Sequence, residues 1–156
     1  MKFILYLLLN ITIFSSIAED WTSNTFSTVN IVDNMLLPDG SIYSNFIQTG
    51  QGTSNLGKYS VSNCSGNRLD KKGKLLELIV FCETELDDGN KFWTKVSRSS
   101  GDSDVGISKF IFLGGTNEFA ELKGKECTYA VSYFKDKIFG NNRCKIGKDL
   151  FEKLKK

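Results

Sequence analysis

Histidine is absent from this chain of 156 residues. Its absence excludes a Ser-His-Asp or Cys-His nucleophilic arrangement and a zinc site built on imidazole. Any catalysis falls to carboxylates, Lys, Tyr, Arg or a metal held by oxygen. Cys-x-x-Cys spacing is also missing, so the four cysteines do not read as an all-cysteine metal centre. Proline occurs once, at Pro38, and the chain carries no linker, internal repeat or low-complexity tract. A basic excess is lacking too. Of 20 Lys and Arg, only Lys2 falls in the first eighteen residues, leaving 19 against 18 Asp and Glu. A nucleic-acid partner is therefore not expected. No apolar run approaches the roughly 20 residues that span a bilayer.

What is present begins with Lys2, the apolar run Phe3 to Phe14, the small-residue patch Ser15-Ser16-Ile17-Ala18, and then Glu19-Asp20. Residues 1–18 read as a secretory signal peptide: a charged start, an apolar middle of about 7–15 residues and an A-x-A-like cleavage site. Cleavage is expected after Ala18, with Ser16 at the minus-three position. The competing reading is a retained membrane anchor, for which this run, interrupted by Asn10 and Thr12, is too short. No cysteine follows the cut, so a lipid anchor is not expected. The mature chain, residues 19–156, has the size of one domain. It is expected in the periplasm or outside the cell, without stable membrane insertion.

Fourteen Gly and twelve Phe accompany apolar stretches of five to ten residues separated by turn clusters. This is an all-β pattern. The predicted strands are Thr25–Val32, Ser41–Gln48, Lys58–Cys64, Lys74–Thr84, Lys91–Arg98, Gly106–Leu113, Lys125–Phe134 and Arg143–Ile146. Pro38-Asp39-Gly40 and Asp87-Asp88-Gly89-Asn90 are turn chemistry, because Gly and Asn tolerate positive φ. About eight antiparallel strands form a barrel, which leaves no open edges; a β-sandwich is the alternative. Alternation places Cys127, Tyr129, Val131 and Tyr133 on one face, and Leu76, Leu78, Val80 and Cys82 on one face of their strand. The face opposite the latter, Leu75, Glu77, Ile79, Phe81 and Glu83, is mixed, so something is expected to cover it. Lys148–Lys156 reads as a short amphipathic helix with Leu150, Phe151 and Leu154 on one stripe. It is expected to cap a barrel mouth or dock on that outer face.

In an exported domain four cysteines read as two disulfides, with three possible connectivities. Cys64 and Cys82 are symmetric about residue 73, beside the turn signal Lys71-Lys72-Gly73. Cys127 and Cys144 are symmetric about Lys135-Asp136. Directly opposed strand positions bring Cα atoms to about 4.5 Å, which a disulfide bridges. The expected pairs are Cys64–Cys82 and Cys127–Cys144. Gly140-Asn141-Asn142 is a rival turn that would spoil the second register.

Gly114-Gly115-Thr116-Asn117-Glu118-Phe119 leads through Leu122 and Gly124 into the strand that carries Tyr129. It resembles the Gly-Gly-Thr-Gly-Lys-Phe segment of the allene-oxide-cyclase-like and dirigent-like β-barrels, with Asn117 and Glu118 departing from the pattern. The resemblance covers about sixteen residues. It implies an eight-stranded antiparallel barrel and, in some members, the binding or steering of small apolar molecules; it places no catalytic residue. The structural alternative is a tight strand exit at Gly114-Gly115 where Cβ atoms would clash. Gly101-Asp102-Ser103-Asp104-Val105-Gly106 begins like a calcium loop, but its twelfth position, from Asp102, is Leu113 rather than Glu, and it reads as a solvated loop. Asn63-Cys64-Ser65 fits a glycosylation sequon.

The expected function is the non-catalytic binding of a small apolar molecule inside or at the mouth of the barrel, in a cavity of some hundreds of Å³, without a cofactor. Trp93, Tyr129 and Tyr133 are the candidate binding residues, and Trp21 is a further aromatic able to line a pocket. One alternative is a cyclase- or isomerase-type enzyme in the same cavity. It would use Glu77, the one acid inside an apolar strand, as a carboxyl of raised pKa. The other alternative is a structural or partner-binding envelope protein with an apolar outer patch near Leu75, Ile79 and Phe81.

Overall fold

A computed structural model describes residues 18–99, 101–102 and 105–156; the signal-peptide segment falls outside the described residues except for Ala18. The strands are β1 (Ala18–Leu36), β2 (Ile42–Ser54), β3 (Tyr59–Lys71), β4 (Lys74–Leu86), β5 (Lys91–Arg98), the two-residue β6 (Gly101–Asp102), β7 (Val105–Gly115), β8 (Glu126–Phe134) and β9 (Lys137–Gly147). A 3-10 helix, Asn117–Leu122, joins β7 to β8, and a helix α1, Lys148–Leu154, ends the chain.

Eight of these strands form an antiparallel up-and-down barrel. Each pairs with its neighbour in the order β3-β2-β1-β9-β8-β7-β5-β4, and β3 pairs with β4 to complete the circle. The seam where the first strand meets the last runs from Ala18 opposite Gly147 to Thr28 opposite Lys137. Closure satisfies the ladder hydrogen bonds that an open sheet would leave at its edges. β6 adds only Asp102 opposite Lys74 and Gly101 opposite Leu75. The tight turns use left-handed glycines where β-branched or bulky residues would be strained, as at Gly40 (φ 81°) and Gly89 (φ 81°).

All eight predicted strands are present, most of them longer. β1 begins at Ala18 rather than Thr25, and β9 at Lys137 rather than Arg143. Gly140-Asn141-Asn142 is therefore not a turn; it lies within β9, facing Thr25, Asn24 and Ser23 of β1.

Both expected disulfides are present, Cys64–Cys82 with Cα atoms 4.1 Å apart and Cys127–Cys144 at 4.6 Å. They are consistent with an oxidising environment. Each ties two strands of one hairpin, β3 to β4 and β8 to β9, and neither crosses the β1–β9 seam. The β3–β4 register contains a correction. The hairpin closes with Lys71 opposite Lys74, and a bulge at Leu76 then shifts the register by one so that Cys64 meets Cys82. The bulge also reverses the expected facing: Leu75 is buried at 3% exposure and Leu76 is 41% exposed.

Two hydrophobic clusters fill the barrel ends. At the end where the chain enters, Trp21, Phe92, Phe112 and Phe119 meet with ring centroids 5.3–6.1 Å apart. Leu122 of the 3-10 helix and Phe151 and Leu154 of α1 close over them. The tail thus caps this end of the barrel and does not cover the mixed face of β4, whose Phe81 is half exposed. Burying one such side chain contributes about 1.5–3 kcal/mol, so this plug anchors the fold. The opposite end holds the smaller cluster of Phe46, Cys64, Leu75, Leu78 and Val80.

Candidate functional site

Between the two clusters the interior holds a cavity of about 170 Å³, its surface mostly apolar with Ser and Thr side chains interspersed. It is smaller than the sequence led us to expect. Its walls follow from strand alternation: Ser23, Thr25 and Ser27 point inward from β1, Ser60 and Ser62 from β3, Thr84 from β4 and Thr94 from β5. Hydroxyls satisfy one another across the strands, Ser62 Oγ lying 2.9 Å from Thr84 Oγ1. Asn142 Nδ2 donates to Ser23 Oγ at 3.1 Å across the seam. Apolar surface comes from Leu78, Val80, Val96, Val131 and Ile138, and both disulfides face the cavity.

Charge is nearly absent from this lining. Lys58 is the only charged residue among the described lining residues. Its ammonium pairs with Asp88 Oδ2 at 2.5 Å. Burial tends to raise the Asp88 pKa, but the hydrogen bond from Lys58 and those from Asn90 outweigh it, and the carboxyl lies below its ordinary range.

Trp21 Nε1 is buried without a hydrogen-bond partner among the described residues, and the equally buried Tyr129 Oη lies beside Ser108, directly opposite on β7. Both residues line the cavity. Burial pushes the Tyr129 phenol above its ordinary value of 10.0, with a side-chain hydrogen bond to Ser108 opposing; the Ser108 hydroxyl itself donates to the Ser97 carbonyl at 3.4 Å. Burial likewise raises Tyr133, against the nearby Arg68 and Arg98 guanidinium groups. Arg68 itself forms a two-pronged bond to Asp70, at 2.5 and 2.6 Å.

The sequence candidates separate accordingly. Tyr129 and Tyr133 line the cavity, as does Trp21. Trp93 lies on the outer wall, its indole N–H donating to Glu83 Oε2 at 3.0 Å. There it borders a small depression with Phe81 and Leu113. Glu77 is exposed and forms no ion pair among the described residues. On the neighbouring β5, the Lys95 ammonium lies 5.7 Å over the Phe81 ring. Of the apolar outer patch, Leu75 is buried and Ile79 half-buried, leaving Phe81. Gly115 fits the tight-exit reading, because a Cβ there would lie 2.6 Å from Phe119; Gly114 does not, having open space around it. Residues 103–104 of the calcium-like segment lie outside the described residues. No cluster of metal-ligating side chains occurs among those described, and no described helix is long and apolar enough to cross a membrane.

The Ser and Thr lining was missed in the sequence. Its signal was the alternation of small hydroxyl residues at 23, 25 and 27 and at 60 and 62, which reads as polar loop unless a polar barrel interior is considered. A second, more open groove of about 620 Å³ lies on the outer wall among Phe26, Tyr59, Val61 and Phe139. Compared with models of known families, with curated proteins and with solved structures, the chain finds no match.

Proposed function

We propose that this protein is exported and binds a small, largely apolar molecule inside its barrel without transforming it. The observation that carries the reading is the interior cavity, enclosed between an aromatic plug and a second apolar cluster. Its size suits a ligand near that of benzene, which a dry cavity of about 150 Å³ accommodates. Export rests on the signal-like residues 1–18 together with two disulfides, which persist where thiols are not kept reduced. A cyclase- or isomerase-type activity is less well supported, since Glu77, the carboxyl it needed, lies exposed on the outer wall. The likeness to allene-oxide-cyclase-like and dirigent-like barrels accords with the strand number and adds no reaction.

Native mass spectrometry of the protein recovered from its export compartment, with and without reductant, tests this reading. The expected species is residues 19–156, lighter by two hydrogens for each disulfide, carrying a small non-covalent adduct or taking up added acetophenone. Four free thiols, or a barrel that retains neither a native adduct nor acetophenone, would overturn it.

A further inference from the structure

The barrel closes only as far as β9 reaches. β1 meets β9 from Ala18 to Thr28, and the Val29 N–H then donates to the Asp136 carbonyl at 2.9 Å. β1 runs on and pairs with β2 alone, as far as Leu36 opposite Ile42. β2, β3 and β4 continue beside it, to Ile42 opposite Asp70 and Lys71 opposite Lys74. The sheet of β1 to β4 therefore outruns the closed wall, and its two sides differ. On the β4 side, Gly101 and Asp102 of β6 cover Leu75 and Lys74. On the β1 side, no described strand pairs with residues 30–36. All seven are exposed, on both faces of the strand. Four are large and apolar, Ile31, Val32, Met35 and Leu36, at 44–74% exposure. Natural sheets blunt such edges with Lys, Pro, bulges or a covering segment. Residues 29–37 hold no Lys, Arg or Pro; their protection is one bulge, at Val32, and one charge, Asp33. An unpaired backbone edge among apolar side chains is a template for a further strand.

We propose that this edge pairs with the same edge of a second copy of the chain, antiparallel, about a two-fold axis at Asn34. The pairing is independent of ligand binding in the interior. In an antiparallel pair with a two-fold axis normal to the sheet, the residue on the axis meets itself, and positions equidistant from it meet one another. Because Val32 is bulged, Ile31 and Asp33 occupy successive ladder positions, opposite Phe46 and Asn45. With Asn34 on the axis, Asp33 therefore lies opposite Met35, and Ile31 lies opposite Leu36. Apolar ends meet apolar ends, the two Asn34 amides meet each other, and no charge faces its copy. An axis at Asp33 would instead oppose two carboxylates, which is unfavourable. The near balance of 19 Lys and Arg against 18 Asp and Glu beyond the leader leaves little repulsion between copies. This self-complementarity favours a second copy over a strand of another protein.

Sedimentation velocity of the oxidised mature protein, from micromolar to millimolar concentration, tests the pairing. The wild-type protein is expected to show a monomer–dimer equilibrium. Asn34→Lys sets two ammonium groups opposite each other at the axis and is expected to weaken the dimer by at least about tenfold. Met35→Lys sets each ammonium opposite Asp33 of the partner subunit and is expected to leave the dimer intact or tighten it. Asn34 and Met35 are both exposed, so each variant should keep the wild-type fold by circular dichroism. Amide hydrogen exchange of the wild-type protein gives a reading that needs no variant: residues 30–36 are expected to exchange more slowly as concentration rises. A protein that stays monomeric to millimolar concentration would overturn the proposal. So would a dimer that Asn34→Lys leaves unchanged, or edge amides indifferent to concentration.

Discussion

Gly115 presses against Phe119 so closely that a methyl group on Gly115 would sit 2.6 Å from the Phe119 backbone and Cβ. This contact folds the 3-10 helix back beneath the barrel, stacking Phe119 on Phe92 at 5.7 Å. Backbone cannot yield as a side-chain tip can. Gly115→Ala is therefore expected to destabilise the protein by about 1–3 kcal/mol, the usual range for overpacking. Gly114→Ala is the control. A methyl at Gly114, by contrast, meets nothing within 4 Å, and the expected loss is smaller. Urea denaturation of both variants gives the comparison.

The two disulfides close loops of nearly equal length, with sequence separations of 18 and 17. Chain entropy alone assigns each about 3 kcal/mol. Packing separates them. Cys127 and Cys144 are 4% and 2% exposed within the aromatic plug, whereas Cys82 is only half-buried. Replacing Cys127 and Cys144 together by Ala should lower the melting temperature more than replacing Cys64 and Cys82. The reverse order in thermal denaturation would show that the plug is not the more tightly packed end.

Acid and alkali should act through different groups. Asp88, Asp20 and Asp39 lie below the ordinary carboxyl range in the folded state. The unfolded chain therefore takes up their protons first, so stability is full above about pH 4–5 and declines as pH falls further. Tyr129 and Tyr133 are raised by burial. The unfolded chain loses those protons first, and stability falls as pH rises past about 10. Thermal melts across pH, with phenolate absorbance followed in parallel, should give a plateau between these limits. Tyr129→Phe should soften the alkaline decline.

Trp93→Phe should leave probe binding unchanged and cost about 0.5–1.5 kcal/mol at most, the net worth of its hydrogen bond to Glu83. Fluorescence-monitored titration of this variant with acetophenone checks the point. A large loss of affinity would place the ligand on the outer wall instead.

The parts of this fold legible in the sequence are those with apolar alternation and paired cysteines. Cys127 and Cys144 gave the β8–β9 register, because residues opposed in a hairpin share one midpoint. The strand around Leu78 and Val80 was visible, but its bulge at Leu76 was not, since nothing in Leu75-Leu76 distinguishes the two faces. β9 was half hidden because its inward positions Gly140 and Asn142 face Thr25 and Ser23 of β1 and carry no hydrophobic signal. The early part of β1, before Thr25, was missed because Thr22-Ser23-Asn24 reads as loop, although Ser23 lines the cavity. The site was obscured most where it is most polar: Tyr129 and Tyr133 were picked out as aromatics on one face, and Trp93 was chosen by residue type alone. The unpartnered state of Trp21 Nε1 is a property of its surroundings, which no local pattern encodes.

The central claim, that the barrel interior receives a small molecule, is tested most directly by crystallographic soaking with bromobenzene. Bromine locates itself by anomalous scattering. The account predicts a bromine peak enclosed by β1, β4, β8 and β9, within contact of Val80, Val131 and Ile138. A peak confined to the outer groove of Phe26, Tyr59, Val61 and Phe139, with an interior that stays free of bromine, would contradict it.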